Sequence, residues 1–195
     1  MFTGIITDLG SVQAILKRGD TRFQINTSYD TNSIALGASI SCSGTCLTVV
    51  EKGKNWFATD VSGETLSKTT LGCWSEGTPV NLERSLKLSE ELGGHFVAGH
   101  VDGVGVITSI DQEGDSFKFE FSFPENLTRF IARKGSITVN GVSLTVNEIT
   151  NNTFVVNIIP HTQNVTTFGT SRIDDRVNLE IDLLSRYVAR LLEKD

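Results

Sequence analysis

Apolar and polar residues alternate over several short stretches of the chain, as in β-strands that bury one face. Residues 118–123 (KFEFSF) alternate strictly, and residues 39–51 and 136–148 alternate around a central glycine. Each of these two longer stretches is followed by a turn-forming run, KGKN or TNN, and then by another apolar stretch. The pattern predicts an all-β chain, with closed barrels as the arrangement that leaves no strand edge unpaired.

Two segments carry the same pattern 97 residues apart. Residues 39–83 and 136–180 are identical at 17 of 45 aligned positions, whereas unrelated chains would match at about 2 or 3. Towards the start of each half the offset is 95, because Gly4 aligns with Gly99. Self-similarity at this period predicts two homologous halves.

We expect one barrel in each half, at 1–90 and 91–184, followed by a C-terminal helix at 185–195. Around this tail the apolar positions follow one face of an amphipathic helix: Leu184, Tyr187, Val188, Leu191 and Leu192. One short helix per half is also predicted, at 64–71 and 161–168. The apolar face of the terminal helix favours packing on a neighbouring subunit over packing on its own chain.

Composition places the chain among ordinary soluble proteins, with 38% hydrophobic and 21% charged residues. The net charge of −6, without a run of Lys and Arg, gives no reason to expect nucleic acid or an anionic membrane as a partner. The N-terminus does not resemble a secretory signal, and no apolar run has the length of a membrane span. Cys42, Cys46 and Cys73 lack C-x-x-C spacing, which favours reduced thiols, a cytoplasmic protein and no metal site.

A segment rich in glycine and histidine, residues 93–106, is the first candidate for a ligand site, because glycine lets a ligand approach the backbone. The G-x-G at 103–105 is not followed by a helical pattern, which argues against a dinucleotide fingerprint. With only His161 besides His95 and His100, a zinc site is disfavoured. We interpret His100 as functional and His95 as a hydrogen-bonded linking residue.

Three of the aligned pairs that differ between the halves involve chemically active side chains: Ile5 and His100, Cys46 and Ser143, and Glu64 and His161. Taken alone, Cys46 would fit as a small buried apolar residue. A packing role, however, would not need cysteine in one copy and serine in the other. Two similar pockets with unlike polar groups suit a reaction between two like molecules in unequal roles.

Three more residues have two interpretations each. Phe2 is either a strand anchor or an aromatic lid on a flat ligand. Lys134, beside a glycine, is by default a solvated charge in a turn. Asp182 suits the N-cap of the tail helix as well as it suits a catalytic role.

Five motifs follow one another over the whole chain: MFTGII, GTCLTV, ERSLKLSEELGGHFVAGHVDG, GVSLTV and IPHT. Together they resemble the riboflavin synthase family. The resemblance implies two tandem six-stranded Greek-key barrels with a C-terminal helix, assembled as a homotrimer. It also implies a transferase that dismutates two molecules of 6,7-dimethyl-8-ribityllumazine into riboflavin and 5-amino-6-ribitylaminouracil, without a metal or organic cofactor. Dimethylribityllumazine and riboflavin are therefore the expected ligands, and lumazine synthase is an expected partner enzyme.

The resemblance also implies ligand contacts in both halves. Those of the first barrel are Gly4, Ile5, Ile6, Cys46, Leu47, Thr48, Asp60, Val61, Ser62, Gly63, Glu64 and Thr65. Those of the second are Gly99, His100, Val101, Lys134, Ser143, Leu144, Thr145, Asn157, Ile158, Ile159, Pro160, His161 and Thr162. The residues implicated in turnover are Phe2, Ser39, Cys46, His100, Ser143 and Asp182. In the family a first barrel faces the second barrel of a neighbouring subunit, so the working site is expected between chains.

The residue types fit this chemistry. The lumazine 7-methyl group is acidic because its carbanion is delocalised into the ring, so a histidine is a sufficient base near neutral pH. The second molecule needs addition at its 7-position, for which Cys46, Ser143 and water are the candidate nucleophiles. Stacking of the two rings would supply orientation. Backbone amides of the two LTV strands are expected to bind the pyrimidine edges, with hydroxyl contacts from Thr48 and Thr145.

Two other functions are compatible with such a chain. A lumazine-binding antenna protein would hold the ligand without turnover, and a flavin-reductase-like module would use a nicotinamide cofactor. Polar ligand-type residues in both halves favour the enzyme over the antenna. The sequence offers no site for a nicotinamide.

Overall fold

The structure is a computed structural model that describes residues 1–193. Its first half contains β1 (Asp8–Arg18), β2 (Asp20–Asn26), β3 (Ser39–Cys42), β4 (Thr45–Lys52), β5 (Trp56–Val61), α1 (Gly63–Lys68) and β6 (Pro79–Arg84). Its second half contains β7 (Gly103–Glu113), β8 (Ser116–Ser122), β9 (Ser136–Val139), β10 (Val142–Thr145), β11 (Glu148–Ile149), β12 (Thr153–Ile158), α2 (Pro160–Val165) and β13 (Arg176–Ile181). The last helix is α3 (Leu183–Leu192), which begins two residues before the predicted 185.

The first half forms a closed barrel in the order β1-β2-β5-β4-β3-β6. Strands β3, β4 and β5 are consecutive neighbours, and β6 returns to the free side of β3, which is the arrangement of a Greek key. All pairings are antiparallel. The predicted all-β class and the barrel of this half are confirmed.

The second half repeats this order, but its counterpart of β4 is broken into β10 and β11. These two pieces are the edges of the curled sheet β10-β9-β13-β7-β8-β12-β11. Between them, the N–H of Val146 donates to the carbonyl of Gly135, and the N–H of Asn147 donates to the carbonyl of Val155. The two edges of the sheet therefore meet in consecutive residues of one chain segment.

The glycine at the centre of each repeated stretch forms a tight turn. Ser43 and Gly44 have φ values of 45° and 84°, and Asn140 and Gly141 have φ values of 47° and 83°. Two positive φ angles in a row are typical of the hairpin turns that match the twist of antiparallel strands. The two turns touch, since a Cβ on Gly44 would lie 2.8 Å from the nitrogen of Gly141. Glycine is needed here for the approach of the halves as well as for the turns.

Each half has its own apolar core. The first barrel encloses Phe23, Ile25, Phe57 and Leu82 among others, all at most 2% exposed. The second core is rich in phenylalanine: Phe119, Phe121, Phe123, Phe154 and Phe168. Residues 118–122 of the strictly alternating stretch lie in β8, where buried Phe119 and Phe121 belong to this core and confirm the predicted strand.

Two buried asparagines join the halves. The side chain of Asn178 accepts from the N–H of Thr70 at 2.7 Å and donates to the carbonyl of Ser43 at 2.8 Å. Asn81 makes the equivalent contacts in the other direction, with the N–H of Thr167 and the carbonyl of Asn140. The interface therefore has an approximate two-fold relation, and both buried side-chain amides are paired across it.

The predicted short helices are present as α1 and α2. Each is followed by a 3₁₀ turn, at Thr70–Cys73 and at Thr167–Gly169. In the predicted apolar face of α3, the side chains are more than half exposed: Leu184, Tyr187, Val188, Leu191 and Leu192. Within residues 1–193 every helix is too short or too polar to cross a bilayer.

Candidate active site

The segments that precede the first strand of each half cross between the barrels. Phe2 and Val97 pair with each other, with N···O distances of 2.7 and 3.0 Å. Beyond this bridge, the carbonyl of Gly4 accepts from the N–H of Ser143 at 2.8 Å. The carbonyl of Gly99 accepts from the N–H of Cys46 at 2.8 Å. Each leading segment therefore lies on a strand of the other barrel.

This exchange corrects the predicted grouping of ligand contacts. Residues 4–6 were grouped with Cys46 in the first barrel, but they lie on the strand of Ser143, and Ile6 packs into the second core. Residues 99–101 lie on the strand of Cys46. The repeat reveals which positions are equivalent, whereas it cannot reveal which of two equivalent strands a segment joins.

The exchange gives the two candidate sites different side chains. The site on the first barrel, called here the cysteine site, combines Cys46 and the segment 60–65 with the crossing residue His100. The site on the second barrel, called here the serine site, combines Ser143 and the segment 157–162 with the crossing residue Ile5. The predicted asymmetry of polar groups is therefore present, in a new combination.

Two glutamates of the repeated VNLE motif hold the crossing segments. The carboxylate of Glu180 accepts from the N–H groups of Ala98, Gly99 and His100, at 2.7 to 2.9 Å. Burial raises its pKa to about 7, although these hydrogen bonds act in the opposite direction.

Glu83 holds the other segment in the same way. It accepts from the N–H and hydroxyl of Thr3, at 2.6 and 2.8 Å, and from the N–H of Gly4 at 2.9 Å. Burial raises the pKa of Glu83 as well. Both carboxylates lie beneath the backbone that carries the candidate ligand contacts.

His95 links the serine site internally, as the sequence predicted for this residue. Its Nδ1 lies 2.6 Å from Oγ of Ser143, and its Nε2 lies 3.2 Å from Oγ1 of Thr138. Burial lowers the pKa of His95, which outweighs the opposing effect of Asp182. The lowered pKa favours the neutral imidazole, which accepts a hydrogen bond at one ring nitrogen and donates one from the other. Ser143 is the candidate nucleophile that has a base in contact.

Among the described residues, the cysteine site has no equivalent of this link. Thr138 aligns with Ser41 in the first half. Within residues 1–193 the buried hydroxyl of Ser41 has no hydrogen-bond partner. The thiol of Cys46 is half-buried, and all three cysteines are free. The two sites therefore differ in the side chains that contact Ser143 and Cys46, as well as in the crossing residues Ile5 and His100.

Three residues predicted for turnover have structural contacts of their own. Phe2 is fully buried beneath Gly99, so its ring anchors the crossing segments and does not form a lid in this structure. Asp182 caps α3, because its carboxylate accepts from the N–H of Leu184 at 2.9 Å. Ser39 lies directly across from Thr48 in the pairing of β3 and β4. Their parts in turnover stay predictions.

Charged contacts at the far ends of the two sites also differ. At the cysteine site, Asp60 is paired with Arg22 at 2.7 Å, and this hydrogen bond lowers the pKa of Asp60. At the serine site, Nζ of Lys134 donates to Asn147, whose amide donates to Asn157, each at 3.3 Å. Asn147 thus links Lys134 to Asn157, which is another predicted ligand contact.

In the single chain the two sites are open surfaces. Ile5 and Ile159 are 45% and 53% exposed, and Thr48, Thr145 and many of the remaining predicted contacts are exposed as well. A groove of about 590 Å³ lies elsewhere between the halves, around Trp74 and Arg176, and contains none of the predicted contacts. Within residues 1–193, no three His, Cys, Asp or Glu side chains are arranged to hold a metal ion.

Sequence reasoning missed the roles of Glu83, Glu180, Asn81 and Asn178. The signal was present, because the four residues of VNLE are identical in the two halves. An acidic and an amide side chain retained within an otherwise apolar strand indicate buried polar partners. The identity of those partners could not be read from the pattern.

Two tandem barrels with equivalent sites define a duplicated binding fold, and a family profile identifies its class. The profile of the Lumazine binding domain matches residues 3–85 and 98–182, once in each half. In the solved structures of LumP complexed with riboflavin and with 6,7-dimethyl-8-(1'-D-ribityl) lumazine, the chain fold is similar, with TM-scores of 0.86 and 0.83. Sequence identity to these is 28% and 27%, over 93% and 92% of this chain and 99% and 98% of those chains.

A sequence relative defines the family more narrowly. Riboflavin synthase of Brucella abortus (strain 2308) is 50% identical over 200 residues, which cover 99% of this chain and 98% of that protein. The chain belongs to the riboflavin synthase family.

Proposed function

We propose that the protein catalyses the riboflavin synthase reaction, in which one 6,7-dimethyl-8-ribityllumazine transfers a four-carbon unit to a second. The products are riboflavin and 5-amino-6-ribitylaminouracil. The observation that carries the proposal is the pair of equivalent sites with unlike groups: His100 follows Gly99, which binds the N–H of Cys46, whereas His95 contacts the hydroxyl of Ser143. Two copies of one substrate would bind alike and react differently.

His100 and Ser143 take the chemical roles in this proposal. The exposed imidazole of His100 removes a proton from the 7-methyl group of the lumazine at the cysteine site. At the serine site, the hydroxyl of Ser143 adds to C7 of the second lumazine while its proton passes to Nδ1 of His95. The backbone amides of β4 and β10, with Thr48 and Thr145, bind the pyrimidine edges. Ser143 is favoured over Cys46 as the nucleophile because His95 is within hydrogen-bond distance of its hydroxyl.

Replacing either member of the His95–Ser143 pair is expected to lower kcat by about 10²-fold, since each removes the same activated hydroxyl. The variants are His95→Ala, Ser143→Ala and the double variant, assayed by riboflavin formation under single-turnover conditions. The double variant should lose no more activity than either single variant, because residues that act as a unit are not additive. Cys46→Ser is the matched control and should retain activity within about tenfold. Full additivity in the double variant would contradict the assigned pair.

The activity is tested by incubating the pure protein with 6,7-dimethyl-8-ribityllumazine alone. Riboflavin absorbance should grow in a ratio of one riboflavin to two lumazines consumed, with no added cofactor. The alternative is a protein that binds lumazine or flavin without turnover, which the similarity to the LumP structures favours. In that case the lumazine spectrum would shift on binding and then stay constant.

The protein is further proposed to act in the cytoplasm as a homotrimer, with each working site between two chains. The open candidate sites and the exposed apolar face of α3 support an assembly of this kind. Light scattering should then give a mass three times that of the 21.2-kDa chain. Association with lumazine synthase stays a prediction.

A further inference from the structure

Each glutamate of the two VNLE motifs lies on one barrel and contacts the backbone of a segment that covers the site on the other barrel. Glu83 lies on β6 of the first barrel, and the segment that it binds covers the serine site. Glu180 lies on β13 of the second barrel, and its segment covers the cysteine site. Both side chains are almost fully buried, at 4% and 3% exposed.

Each carboxylate is connected to a site residue through the hydrogen bonds of one intervening residue. Glu180 binds the N–H of Gly99, and the carbonyl of the same residue accepts from Cys46. It also binds the N–H of His100, so it fixes the backbone on both sides of the peptide that presents the imidazole.

Glu83 acts on the serine site through two routes. It binds the N–H of Gly4, whose carbonyl accepts from the N–H of Ser143. It also binds the N–H and hydroxyl of Thr3, whose carbonyl accepts from the N–H of His95 at 3.1 Å. Both partners of the His95–Ser143 pair are therefore hydrogen-bonded to the segment that Glu83 holds.

A buried carboxylate in a strand is expensive, and packing alone would be served by an apolar residue of similar size. Three charge-assisted hydrogen bonds offset this cost and fix the geometry of the donor segment. Glu180 accepts all three from backbone N–H groups, and Glu83 accepts two from N–H groups and one from the hydroxyl of Thr3. Gly4 and Gly99 have no side chain to pack, so these two residues depend on such contacts, together with their buried neighbours Phe2 and Val97, for their position.

We infer that Glu83 and Glu180 are positioning residues that act crosswise, Glu83 on the serine site and Glu180 on the cysteine site, an inference that rests on the proposed function. Each acts through a crossing segment and neither touches the ligand. Loss of one carboxylate should therefore impair the site on the opposite barrel and leave the site on its own barrel in place.

The test uses a thiol as a reporter in each site. In the Cys73→Ser protein, Cys46 is the reactive thiol, because Cys42 is fully buried. A second reporter is made by Ser143→Cys in the Cys46→Ser, Cys73→Ser protein. Alkylation by iodoacetamide is measured for both reporters, with and without saturating riboflavin, in the Glu83→Gln and Glu180→Gln variants. The glutamine has the shape of glutamate but lacks the charge and presents an N–H₂ to the backbone donors.

With the Cys46 reporter, Glu180→Gln should reduce protection by riboflavin about tenfold, while Glu83→Gln changes it less than twofold. With the Ser143→Cys reporter the order should reverse. Both glutamine variants should lower kcat by about tenfold in the chain that otherwise has its natural residues. If either variant alters both reporters equally, or alters the reporter of its own barrel, the crosswise role is overturned.

Glu83→Asp and Glu180→Asp provide a milder pair if the glutamine variants do not fold. They keep the charge but are one methylene too short to reach the segment, so the same crosswise pattern is expected with smaller changes. Failure of the proposed function is distinguishable: the unmodified protein would then bind lumazine without producing riboflavin. A crosswise pattern together with absent turnover would retain this inference and reject the reaction.

Discussion

Gly99→Ala is expected to abolish turnover, with kcat lowered by 10²-fold or more, and to destabilise the protein by about 3 kcal/mol. Gly99 has a φ of +79°, which alanine adopts only with strain. Its new Cβ would also lie 2.6 Å from Cβ of Cys46 and 2.9 Å from the nitrogen of Cys46. The crossing segment would therefore have to leave the strand that it covers. Urea unfolding and the riboflavin assay measure the two effects.

Gly19→Ala is the matched control. Gly19 has the same φ of +79°, but apart from its chain neighbours no atom of residues 1–193 lies within 4 Å of the position of a new Cβ. This variant should lose only about 1 kcal/mol from backbone strain and keep its activity. Equal losses in the two variants would show that backbone conformation, and not contact with Cys46, determines the effect at Gly99.

Asn178→Ala is expected to lower the free energy of unfolding by about 3 kcal/mol, because it leaves the buried N–H of Thr70 and the carbonyl of Ser43 without partners. Asn81→Ala should cost a similar amount through Thr167 and Asn140. Calorimetry and urea unfolding measure the loss.

Asn26→Ala serves as the control for this second prediction. Asn26 donates a single 3.3 Å hydrogen bond to the hydroxyl of Ser11, and its loss should cost less than about 1 kcal/mol. The double variant Asn81→Ala, Asn178→Ala should unfold in two transitions, since both buried amide links between the halves are then gone and the crossing segments must join the halves without them. A single sharp transition would show that the crossing segments alone keep the halves cooperative.

The sequence predicted the strands because alternation is visible within short stretches, and it predicted the duplication because such stretches match each other residue by residue. Alternation at 118–123 depends on side chains that are neighbours in the chain, and the structure confirms this strand. The turn at the central glycine, which divides each repeated stretch into two strands, was not predicted. The roles of Phe2 and Asp182 were open in the sequence, since either role is compatible with the residue type. Burial of Phe2 and the hydrogen bond from Leu184 to Asp182 identify the structural contacts.

The combination of residues in each site could not be predicted from the repeat. Gly4 and Gly99 are equivalent, so identity alone does not show whether each joins the strand of its own half or of the other. His95 was also difficult to assign, since its significance depends on a 2.6 Å contact to Ser143, 48 residues further along the chain. Pairing between distant segments is a property of the whole chain and not of any local pattern.

The exchanged segments have a consequence for synthesis of the chain on the ribosome. The N–H of Cys46 in β4 has no partner until Gly99 has emerged, and the side chain of Asn81 has none at Thr167 until that residue is made. Neither half can reach its final state before most of the other has been translated. The chain should therefore mature late and as a single unit, unlike proteins whose domains fold one after another as they leave the exit tunnel.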